Sequence, residues 1–189
     1  MRIGVLALQG DFREHAVMLK RLGVDIREVR LPHHLDDLDG LVIPGGESTT
    51  IGKLAVTYNL LGPLKAKAAT MPIFGTCGGL VFMAGSVGFD QPVLGVLDME
   101  VERNAFGRQV DSFEADLHIR GIDGGPFPGV FIRAPVVRSV GPDMDVICRL
   151  SDGRIVAVRK DRLIAMSFHP ELTSDDRVHR YFLKIVAET

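Results

Sequence analysis

Apolar residues along the chain fall into short unbroken runs separated by amphipathic stretches. Residues 3–8 form a continuous apolar or small run, the pattern of a strand buried on both faces. After a Gln9-Gly10-Asp11 turn, Phe12, Ala16, Leu19 and Leu22 recur at helical spacing, and Gly23 is placed to stop that helix. Strands are predicted at Asp25–Val29 and 41–43, helical segments at 49–54 and 61–68, and a strand at Ile73–Thr76 leading into a helix over 80–84. Repeated βα units of this length predict a parallel sheet covered on both faces. Beyond Gly88 the texture changes. Residues 93–101, 112–119, 130–132, Val136–Val140 and 146–150 read as strands joined by polar loops. Asp152-Gly153 reads as a two-residue hairpin turn into 154–158. Residues 163–168 read as a further buried strand and 178–186 as a final amphipathic helix. The second half is therefore expected to extend the same sheet in mixed or antiparallel fashion. No linker, low-complexity segment or internal repeat interrupts the chain, so a single domain over residues 1–189 is expected.

Length and composition narrow the picture. A chain of 189 residues can bury roughly 70% of its unfolded surface in one α/β domain. A formal charge of −2 points to neither nucleic acid nor an anionic membrane as partner. Two cysteines, Cys77 and Cys148, are too few for a disulfide framework and suit a reducing cytoplasm. The first apolar run is too short for a secretion signal and no run approaches a membrane span, so a cytoplasmic protein is expected.

The chemistry starts at Pro72-Ile-Phe-Gly-Thr-Cys77-Gly-Gly-Leu80. Strand, sharp turn and helix follow in that order, with the thiol at the apex, as in a nucleophile elbow. Small neighbours let strand and helix approach, and a helix N-terminus favours a thiolate. Read alone, the segment fits a buried cysteine in a Gly-rich turn equally well. The second stretch is Ser167-Phe-His169-Pro-Glu171-Leu172. Pro170 keeps His169 out of the α region, so His169 and Glu171 are expected to project to one side of an extended chain. A carboxylate beside an imidazole fixes its tautomer and leaves the other nitrogen for a thiol. A surface turn is the plainer reading of this stretch by itself. Both Cys77 and His169 follow apolar strands, however, and the C-terminal edge of a parallel sheet is where ligands bind. Thiol, imidazole and carboxylate together suit acyl transfer through a thioester. The Gly78 N–H, directly after the nucleophile, and Gly45-Gly46 are the candidate oxyanion donors. Gly46-Glu-Ser-Thr-Thr-Ile-Gly52-Lys53-Leu54 only superficially resembles a phosphate loop. Its glycine spacing is one residue too long and Leu54 stands where a magnesium-binding hydroxyl belongs.

Gly75-Thr-Cys77-Gly-Gly79 with His169-Pro-Glu171 resembles the class I (triad) glutamine amidotransferases. Four further segments narrow the resemblance to the glutaminase subunit of pyridoxal 5′-phosphate synthase, the PdxT family. They are Leu8-Gln-Gly-Asp-Phe-Arg-Glu-His15, Pro44-Gly-Gly-Glu-Ser-Thr-Thr50, the stretch from Val101-Glu-Arg-Asn to Glu114, and Gly129-Val-Phe-Ile-Arg-Ala-Pro135. Gly78 departs from the family, which usually carries alanine there. The resemblance implies a flavodoxin-like, three-layer αβα domain with a mostly parallel sheet and an antiparallel extension. It implies that Cys77 attacks the side-chain amide of L-glutamine, with His169 as base and then acid and Glu171 orienting His169. Gly46 and Gly78 are the expected oxyanion hole, and Gly46, Glu47, Ser48, Arg103, Ile132 and Arg133 the expected substrate contacts. An arginine suits the α-carboxylate of glutamine and Glu47 its α-ammonium. Without the family, both arginines read as exposed strand-edge charges. A separate synthase subunit is the implied partner and recipient of ammonia, and neither metal nor organic cofactor is called for. The alternatives are a glutaminase subunit of histidine or aminobenzoate synthesis, or a catalytically silent regulatory subunit.

Other candidates carry less. Cys148 reads as an inert strand thiol, and His33-His34 as a loop pair without metal spacing. His15, His118 and His179 read as scattered and exposed. Asp175-Asp176 is placed to serve the N-terminus of the last helix.

Overall fold

The computed structural model describes residues 1–103 and 112–189. In chain order the elements are β1 (Arg2–Leu6), α1 (Phe12–Arg21), β2 (Asp25–Val29), β3 (Gly40–Ile43), α2 (Ser48–Thr57), α3 (Leu61–Lys67), β4 (Ile73–Thr76) and α4 (Gly78–Met83). Then come β5 (Ala84–Ser86), β6 (Leu97–Glu102), β7 (Ser112–Leu117), β8 (Phe127–Ile132), β9 (Val136–Val140), β10 (Asp145–Arg149), β11 (Ile155–Lys160), β12 (Leu163–Met166) and α5 (Arg177–Ala187). Two short 3₁₀ turns, Pro32–Leu35 and Pro170–Leu172, complete the set.

The main sheet runs β2-β1-β3-β4-β12-β11-β9-β6-β5, with β10 pairing on β11. Its first five strands are parallel neighbours. That order matches the flavodoxin-like doubly wound sheet, whose direction switches between β1 and β3. From β12 onward the sheet turns antiparallel through β11, β9 and β6, and β5 closes it parallel to β6. The expected three layers are present. One face packs Ile51, Ala55, Leu64, Leu80 and Phe82 from α2, α3 and α4; the other packs Ala16, Leu19, Val178 and Phe182 from α1 and α5. β1, β3, β4 and β12 read as continuous apolar runs because both their faces are covered, and their residues from Ile3 onward are almost wholly buried.

Five details depart from the sequence reading. The strand expected at 93–101 begins only at Leu97, and β5 is an additional strand. β7 and β8 do not extend the main sheet. They form a separate antiparallel ribbon in which Phe113 stacks on Phe131 at 4.5 Å, and Leu117, Phe127 and Phe131 cover the α1/α5 side. The α4 helix starts two residues early, at Gly78, directly after the cysteine. The β10–β11 loop holds three residues rather than two. Leu150 and Arg154 close it through a 2.9 Å bond, and Gly153 takes φ +89. That is a type I turn completed by a left-handed residue, the geometry glycine adopts at least cost. Residues 104–111, which include much of the Val101–Glu114 family segment, lie outside the described residues.

Candidate active site

The site lies where four strands end together. Gln9 and Asp11 follow β1, Gly45 and Gly46 follow β3, Cys77 follows β4 and His169 follows β12. These are the carboxyl ends of parallel strands beside the switch in strand order. A cavity of about 430 Å³ opens there, lined by Gln9, Asp11, Gly46, Glu47, Ser48, Cys77, Gly78, Arg103, Ile132, Arg133 and His169. All the site residues expected from sequence border it except Glu171, which lies behind His169. Its size is that of a small-molecule site.

Cys77 sits at φ +44, ψ −104, a conformation that costs a non-glycine residue energy. The surroundings hold it there. Its N–H donates to the Met166 carbonyl at 2.8 Å, and its own carbonyl accepts from Val81 in the first turn of α4. The strained elbow brings the sulfur to the cavity wall, 9% exposed as a residue and 3.9 Å from the Ile132 carbonyl. Arg133 is strained as well, at φ +42.

His169 Nδ1 lies 2.7 Å from Glu171 Oε1, and both side chains are buried. The neighbourhood arises differently from the expectation. Residues 170–172 form a 3₁₀ turn rather than an extended chain, and the turn folds Glu171 back under the imidazole. Burial is the largest influence on His169 and opposes its charge. The hydrogen bonds with Cys77 and Glu171, and attraction to both, outweigh it and push the imidazole up to about 10. Asp11 Oδ2 also approaches His169 Nδ1, at 3.5 Å, and burial raises that carboxyl. Asp11, His169 and Glu171 place possible metal-ligand atoms within 4.8 Å of one another. The short His169–Glu171 bond, however, is closed by a proton and leaves neither atom free for a cation.

The expected substrate contacts divide. Glu47 caps α2, accepting from the backbone of Thr49 at 3.2 Å and Thr50 at 2.7 Å. Burial alone would raise its carboxyl, but these bonds and the threonine hydroxyls lower it to about 2. The helix N-terminus that superficially resembles a phosphate loop is thus occupied by its own carboxylate. Arg103 donates to Glu47 at 2.9 Å and to the Thr49 hydroxyl at 3.1 Å, and lies over Phe89. Glu47, expected at the α-ammonium of glutamine, and Arg103, one of the two arginines expected at its α-carboxylate, therefore hold each other. Ser48 is 2% exposed and its hydroxyl donates to Gln91 at 3.2 Å, so that hydroxyl is already engaged within the protein. Arg133 is exposed and has no ion-pair partner among the described residues.

Of the expected oxyanion donors, Gly78 stands directly after Cys77. Gly46 has φ +149, which glycine alone adopts freely. The peptide joining it to Glu47 sends its N–H to Gln9 Oε1 at 2.7 Å and presents its carbonyl to Gly78. A side-chain carbon on Gly78 would collide with that carbonyl oxygen. Glycine at this position therefore permits the observed peptide orientation.

Sequence reasoning placed His15 and His179 on the surface; both are completely buried. The signal was helical spacing. His15 lies three residues after Phe12 and four before Leu19, and His179 three before Phe182, so each falls on its helix's apolar stripe. His118 is exposed as expected, and Cys148 is a buried thiol that burial pushes up to about 11. Asp175, rather than Asp176, accepts from the first N–H of α5. No helix among the described residues is long and apolar enough to cross a membrane.

Comparison with known proteins agrees with this geometry. The chain is 52% identical to pyridoxal 5′-phosphate synthase subunit PdxT of Roseiflexus castenholzii over 189 residues, covering 98% of this chain and 100% of that one. It is 54% identical to the subunit of the same name from Thermus thermophilus, covering 97% and 96%. A crystal structure of a glutamine amidotransferase superposes with a TM-score of 0.93 at 52% identity, covering 98% of each chain. A putative GMP synthase component from Thermoplasma acidophilum, 20% identical with a TM-score of 0.74 over 100% of this chain and 94% of that one, shares the fold. The model of the SNO glutamine amidotransferase family matches residues 5–188, and the chain belongs to that family.

Proposed function

We propose that this chain hydrolyses L-glutamine to L-glutamate and ammonia, and that it hands the ammonia to a synthase subunit that builds pyridoxal 5′-phosphate. The whole of residues 1–189 serves as one glutamine amidotransferase domain, acting in the cytoplasm. The observation that carries the reading is the meeting of Cys77 with the His169–Glu171 pair at the ends of adjacent strands β4 and β12.

The chemistry follows from the geometry. His169 takes the Cys77 proton, and the sulfur attacks the side-chain carbonyl carbon of glutamine. The tetrahedral oxyanion is held by the Gly78 N–H, joined by an N–H from the Gly45–Glu47 segment once that segment turns. His169 returns its proton to the departing nitrogen, ammonia leaves, and a γ-glutamyl thioester remains on Cys77. Water, deprotonated by His169, attacks the thioester carbon. Glutamate departs and the thiol regains its proton. Glu171 stays ionised, stabilising the imidazolium at each stage. Arg133 meets the substrate α-carboxylate, and the Glu47–Arg103 pair frames the α-ammonium.

The test is ammonia release from glutamine by the purified chain, alone and with a pyridoxal 5′-phosphate synthase partner subunit. Release that is absent under both conditions refutes the reading.

A further inference from the structure

Outside the catalytic triad, two buried and unassigned titratable groups lie against it. His15 on α1 and His179 on α5 are both 0% exposed, on the same side of the sheet. His15 Nδ1 is 3.0 Å from His179 Nε2. Its other nitrogen, Nε2, lies 3.0 Å from the hydroxyl of Thr76, the residue before the nucleophile, and 3.2 Å from Glu171 Oε2. One side chain therefore touches both arms of the site. From this cluster we infer that His15 is a positioning residue: it fixes the far oxygen of the Glu171 carboxylate, and with it the orientation of His169. The inference deepens the glutaminase reading and rests on it.

Proton bookkeeping gives the direction of the chain. Burial lowers both histidines, His15 well below its ordinary value and His179 to about 4, so each is neutral and carries one ring proton. Proton positions are assigned from partners. His179 Nδ1 has no hydrogen-bond partner among the described residues. A proton there would bury an orphaned donor and force His15 to donate through Nδ1. His15 Nε2 would then face the carboxylate with a bare lone pair. The opposite assignment avoids both costs. His179 Nε2–H donates to His15 Nδ1, and His15 Nε2–H faces Thr76 Oγ1 and Glu171 Oε2. The approach to Oε2 is close but not aligned as a full hydrogen bond, and no described residue supplies Oε2 with another donor.

The carboxylate needs such a restraint because His169 has a second suitor. Asp11 Oδ2 stands 3.5 Å from the nitrogen that Glu171 Oε1 holds at 2.7 Å. A Glu171 free to twist would loosen its bond and let the ring swing toward Asp11, away from the thiol. With His15 Nε2 set 3.2 Å from Oε2, the carboxylate has less room to twist, so Oε1 stays on Nδ1 and Nε2 stays available to Cys77. Around this cluster the charged or titratable neighbours are Cys77, Glu171 and Asp11 for His169, and His179, His169 and Glu171 for His15; Asp176 acts on His179.

The experiment compares His15→Leu, which keeps bulk but removes the N–H, with His15→Gln, whose amide can supply a donor near the same place. Glutamine turnover is measured with the synthase partner present, alongside the pH dependence of Cys77 alkylation by iodoacetamide, which needs no glutamine. His15→Leu is expected to lower kcat about 10- to 100-fold, the scale on which outer hydrogen-bond partners act, with KM nearly unchanged. Its alkylation profile shifts along the pH axis, and His15→Gln recovers most of both. A folded His15→Leu with parental kcat and profile overturns the inference, as does His15→Gln performing no better than His15→Leu. Should His15→Leu not fold, His179→Phe keeps the test open. It removes the donor to His15 Nδ1 beside Phe74 and Phe182 and is expected to shift the alkylation profile in the same direction; an unchanged profile overturns the inference. If the parent protein hydrolyses no glutamine while the His15 variants still shift the alkylation profile, the glutaminase reading falls and the positioning role stands.

Discussion

Met166, at the end of β12, lies in register with Thr76, at the end of β4, and its carbonyl accepts a 2.8 Å hydrogen bond from the Cys77 N–H. Cys77 and His169, the proposed nucleophile and base, are thereby tied to one pair of sheet strands rather than to independent loops. The strain at Cys77 is held by the same ladder that sets the height of His169. A rigid frame of this kind keeps a reacting pair aligned at no further entropic cost when substrate enters.

Cys77→Ala is expected to abolish ammonia release, by about 10⁴-fold or more, because no other described nucleophile faces the cavity. The melting temperature should change little, since one sulfur is lost from a supported turn. Glu171→Gln should also be severe, at about 10³-fold, because its amide nitrogen must confront an N–H of either His169 or His15. Steady-state ammonia assays with thermal melts check both, and measurable turnover by Cys77→Ala would remove the cysteine from its role.

Arg133→Ala and Arg103→Ala should separate. Arg133 is exposed at the cavity and has no ion-pair partner among the described residues, so its loss should raise KM for glutamine about 10- to 100-fold with kcat nearly constant. Arg103 already holds Glu47 and Thr49, so its removal should raise KM less. Full Michaelis curves decide. A normal KM in Arg133→Ala would assign that arginine to another task.

Acid stability should betray the buried histidines. His15 and His179 have folded values below the ordinary 6.5, His179 at about 4, so the unfolded chain binds more protons as pH falls below 6.5. Their contribution is whole at neutral pH and shrinks from pH 6.5 toward 4, on the order of 3 kcal/mol for His179 alone. His169 has the opposite sign. Its raised value stabilises fully below 6.5 and that contribution is lost as pH climbs through about 10, so it adds no slope on the acid side. Glu47, depressed to about 2, adds a further loss from pH 4.5 downward. Urea midpoints across this range should fall steadily below pH 6.5, and His179→Phe should flatten the slope.

The isolated chain is expected to be a poor enzyme. The Gly46–Glu47 peptide points a carbonyl at Gly78 while its N–H is bound to Gln9, so an acceptor stands beside the elbow where a donor is needed. A partner that favours the turned peptide by a few kcal/mol would move this equilibrium. Glutaminase rates at saturating glutamine, before and after adding the synthase subunit, should differ by at least about 10-fold. Gly46→Ala should impair the stimulated rate more than partner binding, because φ +149 suits glycine only. A full rate without partner would refute the gating while leaving Cys77, His169 and Glu171 in place.

The sequence by itself determined the alternating βα frame, the elbow at Cys77 and the pairing of His169 with Glu171. Each rests on a local pattern: apolar runs of strand length, glycines around a thiol, and a carboxylate two residues after an imidazole, although a 3₁₀ turn rather than the expected extended chain brings that last pair together. Tertiary structure decided what depends on neighbours distant in the chain. Local pattern does not say whether two strands join the main sheet or stand apart, and β7 and β8 left it because their apolar face covers α1 and α5. Nor could charge type say that Glu47 and Arg103 would neutralise each other, since 56 residues separate them. His15 and His179, 164 residues apart, read as polar surface until two helices packed on one face of the sheet and closed a hydrogen bond between them. Burial, and the partner that makes burial tolerable, are properties of the assembled layers. A polar residue on an apolar stripe announces only that such a partner must exist.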